Sequence, residues 1–200
     1  MARLAVLVAI IIVMDMTQIG FIMVGPVSIT LMMIPVAIAA ITVGPTGGAI
    51  AGAVFGLTAF MRGFGISPLA TTLMGINPFF TFILMVIPRV LAGLIPGLIY
   101  LAIEKRKGKT TGAVVASVAA PISNTVLWVS TLVLLFGNTE FIVNTFGAGA
   151  LAVFGAIITT NAVIEAGVGF VVGATVSRTL VHFFPGQSVQ NSDNKEEVKI

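Results

Sequence analysis

An all-α membrane protein, built as a bundle of six transmembrane helices with both termini cytoplasmic, is the fold this chain predicts. Three observations predict it. Of the 200 residues 58% are hydrophobic and 8% charged, whereas a soluble domain carries about 25% charged residues. With a mean hydropathy of +1.14, the chain has too few charges to cover a water-facing surface, so its solvent is lipid. The apolar runs approach the ~20 residues that a bilayer crossing needs at helical rise. The basic residues gather at alternate ends of those runs, as membrane topology requires.

The six spans read as residues 3–18, 29–43, 48–61, 78–103, 110–136 and 147–183. Gly44-Pro45-Thr46-Gly47 breaks the chain between the second and the third. Spans two and three are short for a full crossing and borrow flanking residues. With the N-terminus inside, Arg3, Lys105, Arg106, Lys107, Lys109, Arg178, Lys195 and Lys199 fall on the cytoplasmic side. Arg62, Asp15 and Glu140 fall outside. The first span also resembles a signal peptide, but Asp15-Met16-Thr17-Gln18 lacks a small-x-small cleavage site. Its removal would also put basic loops on the wrong side. Residues 1–184 thus form one six-helix transmembrane domain, and residues 185–200 a polar, disordered tail.

Several function classes drop out. A net charge of +3 and a pI near 9.7 do not point to nucleic acid, because topology explains where the positive charges sit. Cysteine is absent, which excludes disulfides, thiolate metal sites and cysteine nucleophiles. No G-x-x-x-x-G-K-[ST] loop exists, so ATP is not hydrolysed by that route. Ser117, Ser123, Glu165 and His182 are present without a G-x-S-x-G, an H-E-x-x-H or paired aspartates, and no enzyme is predicted. Neither a cofactor nor a metal site is predicted.

In lipid, helices associate through small residues that let backbones approach. Gly48, Gly52 and Gly56 lie four apart on the third span, and Gly93 and Gly97 on the fourth. Gly112, Ala116 and Ala120 repeat the pattern on the fifth, Gly169 and Gly173 on the sixth, and Ala5 and Ala9 on the first.

Polar side chains stand out against this background. Arg89 interrupts an apolar run from Phe79 to Ile95, about 15 Å below the outer end of its span at helical rise. A guanidinium there costs several kcal/mol unless it faces a partner, a protein interior or water, so such residues default to function. Pro88 removes the helical donor for the Leu84 carbonyl and frees an acceptor beside Arg89. On span five, Ser117, Pro121, Asn124, Trp128 and Thr131 share a stripe; on span six, Asn161 and Glu165 are one turn apart. Asn77, in the outer loop before Pro78, joins the candidate binding set of Arg89, Asn124, Trp128, Asn161 and Glu165. Arg89 and Glu165 read as the only two charges well inside the hydrocarbon, and a simple ion pair between them is the competing explanation. The predicted outer loops (residues 19–30, 62–78 and 138–146) are longer than the inner turns, so solute enters from outside.

The run Gly25-Pro26-Val27-Ser28-Ile29-Thr30-Leu31-Met32-Met33-Ile34-Pro35-Val36, with Val43-Gly44-Pro45-Thr46-Gly47-Gly48 and its continuation to Gly56, resembles the substrate-binding S components of energy-coupling-factor (ECF) vitamin importers, the pantothenate type most closely. The likeness covers residues 1–184. It implies a multi-pass protein of the bacterial plasma membrane that binds one vitamin on its outer side. It also implies a transmembrane coupling subunit and two cytoplasmic ATPase subunits as partners. Ala5 and Ala9 resemble the small-residue surface that touches the coupling subunit. Pantothenate suits the residues: Arg89 for the carboxylate, Asn124 and Asn161 for the amide and hydroxyls, Trp128 for the dimethyl group. Glu165 would then orient Arg89 or accept a hydroxyl proton. Other S-component cargoes (riboflavin, hydroxymethylpyrimidine) are the alternative, as is a stand-alone secondary transporter or channel for a small anion. The last usually shows inverted repeats, and the two halves of this chain show no self-similarity.

Overall fold

The computed structural model describes residues 2–17, 20–24, 27–146, 166–171 and 175. Most of the predicted sixth span, with Asn161 and Glu165, and the whole tail lie outside the described residues.

The described chain is helical with one hairpin inserted. The helices are α1 (Ala2–Met16), α2 (Met33–Thr42), α3 (Pro45–Met61), α4 (Pro68–Ile76), α5 (Pro78–Lys107), α6 (Lys109–Phe136) and α7 (Glu140–Phe146). Between α1 and α2, β1 (Phe21–Val24) pairs antiparallel with β2 (Val27–Thr30), Phe21 opposite Thr30 and Val24 opposite Val27. The sequence predicts a turn-rich loop over residues 19–30 instead. β-Branched Val27, Ile29 and Thr30 favour an extended backbone, and Ile29, placed in the second span, belongs to β2. What remains of that span is the ten-residue α2, about 15 Å long at helical rise, half a hydrocarbon layer. The predicted 62–78 loop also differs, because α4 folds inside it, started by Pro68 at its first position.

α5 and α6 are long and apolar enough to cross a membrane. Two glycines at positive φ, Gly44 (100°) and Gly108 (86°), turn the chain between α2 and α3 and between α5 and α6. The second turn is tighter than predicted: α5 runs on through Lys105, Arg106 and Lys107, and Gly108 alone separates it from α6. Asn77 starts α5, its Oδ1 accepting from the backbone N–H groups of Phe79 and Phe80 at 3.1 Å each. Asn77→Ala is expected to cost about 1 kcal/mol, the usual worth of such a cap, read as a lower Tm of the purified protein.

The core is set by how closely α3 approaches α5. A Cβ on Gly52 would stand 2.1 Å from the Arg89 carbonyl oxygen, one on Gly48 2.2 Å from that of Gly93, and one on Gly97 2.5 Å from the Pro45 Cα. The two predicted glycine faces therefore meet, antiparallel, backbone on backbone. Around this seam Ile11, Met32, Val36, Phe55, Leu84, Val129, Leu132 and Phe136 are fully or almost fully buried. Gly112, Ala116 and Ala120 on α6 are buried too. The helical stretch 166–171 lies against α6, so that a Cβ added at Gly169 would stand 2.6 Å from the Ser117 carbonyl oxygen.

α3 and α5 run antiparallel, so the end of α1, the end of α3 and the start of α5 gather where the hairpin sits. Lys105–Lys109 marks the opposite end.

Candidate functional site

Arg89 is built into α5 by its neighbours. Pro88 has no N–H, so the Leu84 carbonyl lacks its helical partner. The Arg89 side chain turns back toward the start of the helix, as helical side chains do, and reaches that carbonyl. Its Nη1 donates to Leu84 O at 3.4 Å and, at better length, to Met85 O at 2.8 Å. The Met85 Sδ lies 3.6 Å away. The guanidinium carbon stands 4.8 Å from the centroid of the Phe55 ring on α3, in range of a cation–π attraction. Arg89 forms no ion pair with any described carboxylate, and its Nε is buried without a hydrogen-bond partner.

Two further charges are covered by protein. Asp15 and Arg62, read as outer-edge charges, are buried: Asp15 is 1% exposed and Arg62 8%. Arg62 Nη1 donates to Asp15 Oδ1 at 3.3 Å, bridging the last turn of α1 to the end of α3. Buried charge in the described bundle therefore extends beyond Arg89. The reason is tertiary. A span end is a water boundary only where nothing covers it, and here α1 packs against α3. Phe55, Thr58 and Arg62 follow one another at helical spacing on α3, so one stripe touches Arg89 through its ring and Asp15 through its guanidinium. That spacing, with opposite charges at the facing ends of spans one and three, was the sequence signal for the pair.

The α6 stripe faces inward as its composition predicts. Ser117 is 3% and Asn124 7% exposed, and Trp128 is partly buried. Asn124 Oδ1 and Trp128 Nε1 are both buried without a hydrogen-bond partner. Buried polar atoms are normally satisfied, so each such orphan asks for an explanation. One turn apart, they offer an acceptor and a donor on one face. Asn77, by contrast, spends its side-chain oxygen on the α5 cap. Ala5 and Ala9 are exposed on α1. Among the described residues no group of three or more His, Cys, Asp or Glu side chains could hold a metal ion.

No curated protein matches the chain. The family model "ECF transporter, substrate-specific component" matches residues 1–177. A match over most of the chain agrees with the helical bundle and with two helices apolar enough to span a bilayer. It makes the protein a subunit of membrane transport that takes a small-molecule substrate and works with other ECF subunits. The chain belongs to the family of substrate-specific components of ECF transporters.

Proposed function

We propose that this S component binds pantothenate with high affinity and delivers it to an ATP-driven importer. One observation carries the proposal: the Arg89 guanidinium, on a helix apolar enough to span a bilayer, is held by backbone carbonyls and an aromatic ring rather than by a described acid. A cation so placed is costly until an anion joins it, and a carboxylate matches its planar fork. Asn124 and Trp128 supply an acceptor and a donor for the amide and hydroxyl groups of the same molecule. In this proposal Asn161 takes a further hydroxyl, Glu165 orients the guanidinium or accepts a hydroxyl proton, and Asn77 borders the site at the head of α5. Calorimetric titration of the purified chain with a panel of water-soluble vitamins tests it. Nanomolar binding of pantothenate is expected, and an absence of heat with every vitamin in the panel defeats the proposal.

The proposed setting is a bacterial plasma membrane crossed six times, with both termini in the cytoplasm. Residues 1–184 form the binding domain and the remainder a polar tail. A transmembrane coupling subunit and two cytoplasmic ATPase subunits supply the energy. The exposed Ala5 and Ala9 form the small-residue surface against which the coupling subunit packs. Replacing both with leucine is expected to abolish co-purification with the coupling subunit while pantothenate binding stays within about twofold, because neither residue is part of the buried core.

A further inference from the structure

Arg89, Trp128 and Asn124 stand at different levels of the bundle, and their spacing measures the cargo. α5 and α6 run antiparallel around Gly108 and pack side by side. A Cβ on Gly112, four residues after that glycine, would stand 3.3 Å from the backbone nitrogen of Glu104, four residues before it. Residues equally far from Gly108 are therefore level. Trp128, twenty residues after, stands level with Pro88, and Asn124, sixteen after, with Ala92. The Arg89 guanidinium is displaced the other way. It turns back to the Met85 carbonyl at 2.8 Å and to the Phe55 ring at 4.8 Å, which brings it level with Met85. Phe55 and Met85 belong to the core cluster against which Trp128 packs, so one interior holds the guanidinium and the indole.

Seven residues separate the level of Met85 from that of Ala92, about 10 Å at helical rise. A guanidinium marks one end of this column. Asn124 Oδ1, an acceptor, marks the other, and Trp128 Nε1, a donor, lies between them. Both α6 atoms are buried without a hydrogen-bond partner, so a cargo that brings the missing partners is favoured over one that leaves them unpaired. We infer that the site reads length: it takes extended monocarboxylates that carry a hydrogen-bond donor about 10 Å from the carboxylate, laid along α5 and α6 with the anionic end at Arg89 and the donor against Asn124 Oδ1. Trp128 Nε1 donates to a carbonyl or hydroxyl oxygen between the ends. Pantothenate meets this rule. Eight bonds join its carboxyl carbon to its terminal hydroxyl oxygen, and at ~1.2 Å of advance per bond in an extended chain they cover about 10 Å. The rule rests on Arg89 being the anion-binding group, and it makes Asn124 the residue that decides which far ends are accepted.

Calorimetry on the full chain in nanodiscs tests the rule with pantothenate, its homologues one methylene shorter and one longer between carboxylate and amide, and the analogue that lacks the terminal hydroxyl. Wild type is expected to bind the deoxy analogue roughly tenfold more weakly than pantothenate, because Asn124 Oδ1 then stays unpaired. Each homologue is expected to lose roughly tenfold as well, because one methylene shifts the far hydroxyl by about 1.2 Å, out of hydrogen-bond range. Asn124→Ala is expected to weaken pantothenate roughly tenfold and to bring the other three probes within about threefold of it. A merely structural Asn124 would weaken all the probes alike and keep their ranking, and that result overturns the inference. So does a wild type that binds the deoxy analogue as tightly as pantothenate. The wild-type comparison needs no variant, and it decides alone if Asn124→Ala does not fold. A wild type that binds none of the probes overturns the binding proposal and the length rule together. One that binds pantothenate without discriminating among the probes overturns the length rule alone.

Discussion

Pantothenate binding by the Arg89→Ala protein is expected to be weaker by roughly 100-fold or more, because two charge-assisted hydrogen bonds are lost and each is worth about 1.5–3 kcal/mol. Lysine is a poor substitute. Its ammonium is a compact point charge without the planar fork, so Arg89→Lys recovers about tenfold at most. The surroundings explain why position 89 is so demanding. The guanidinium is held by the Met85 carbonyl at 2.8 Å and by the Phe55 ring at 4.8 Å. A lysine can reach neither hold in the same geometry. Thermal unfolding without ligand separates lost chemistry from lost fold, and an Arg89→Ala protein that binds pantothenate at wild-type strength removes the guanidinium from the site.

Gly52→Ala is the second large effect. A single methyl there would stand 2.1 Å from the Arg89 carbonyl oxygen and 2.9 Å from its carbon, both far inside van der Waals contact. The obstacle is backbone, which has no rotamer to escape into. Separating α3 from α5 is expected to cost about 3 kcal/mol, the upper part of the range for overpacking. Alanine's better helix propensity, about 1 kcal/mol, does not offset it. The seam also carries Arg89, so the displacement reaches the proposed site, and pantothenate affinity is expected to fall together with Tm. Gly75→Ala on α4 is the control. Nothing lies within 4 Å of that position, so the helix-propensity gain of up to about 1 kcal/mol stands alone. Equal thermal stability of the Gly52→Ala and wild-type proteins would mean that the seam is not close-packed.

Much of the fold was legible in the sequence. Apolar runs and glycine spacing locate α1, α3, α5 and α6 within a few residues, because both signals are local. The small residues on spans three and four meet, as small-residue faces in lipid should. Pro88 and Arg89 also speak locally: a proline frees the carbonyl four residues before it, and a long donor next to that proline takes it. The hairpin 21–30, the shortening of α2 and the helix inside the 62–78 segment were not legible. Turn-rich segments of this kind carry no sustained period of 2 or 3.6, and what they become depends on the helices they must join.

Composition and periodicity alone determined that the chain lives in lipid, that its helices touch through glycine, and that Arg89 needs a reason to be where it is. Each of these follows from the cost of placing a given residue in hydrocarbon, which one position decides by itself. Only the tertiary structure decided that Asp15 and Arg62, 47 residues apart, are buried as a pair. Ion pairing inside a bundle depends on which helix ends the packing brings together, and no single position holds that information.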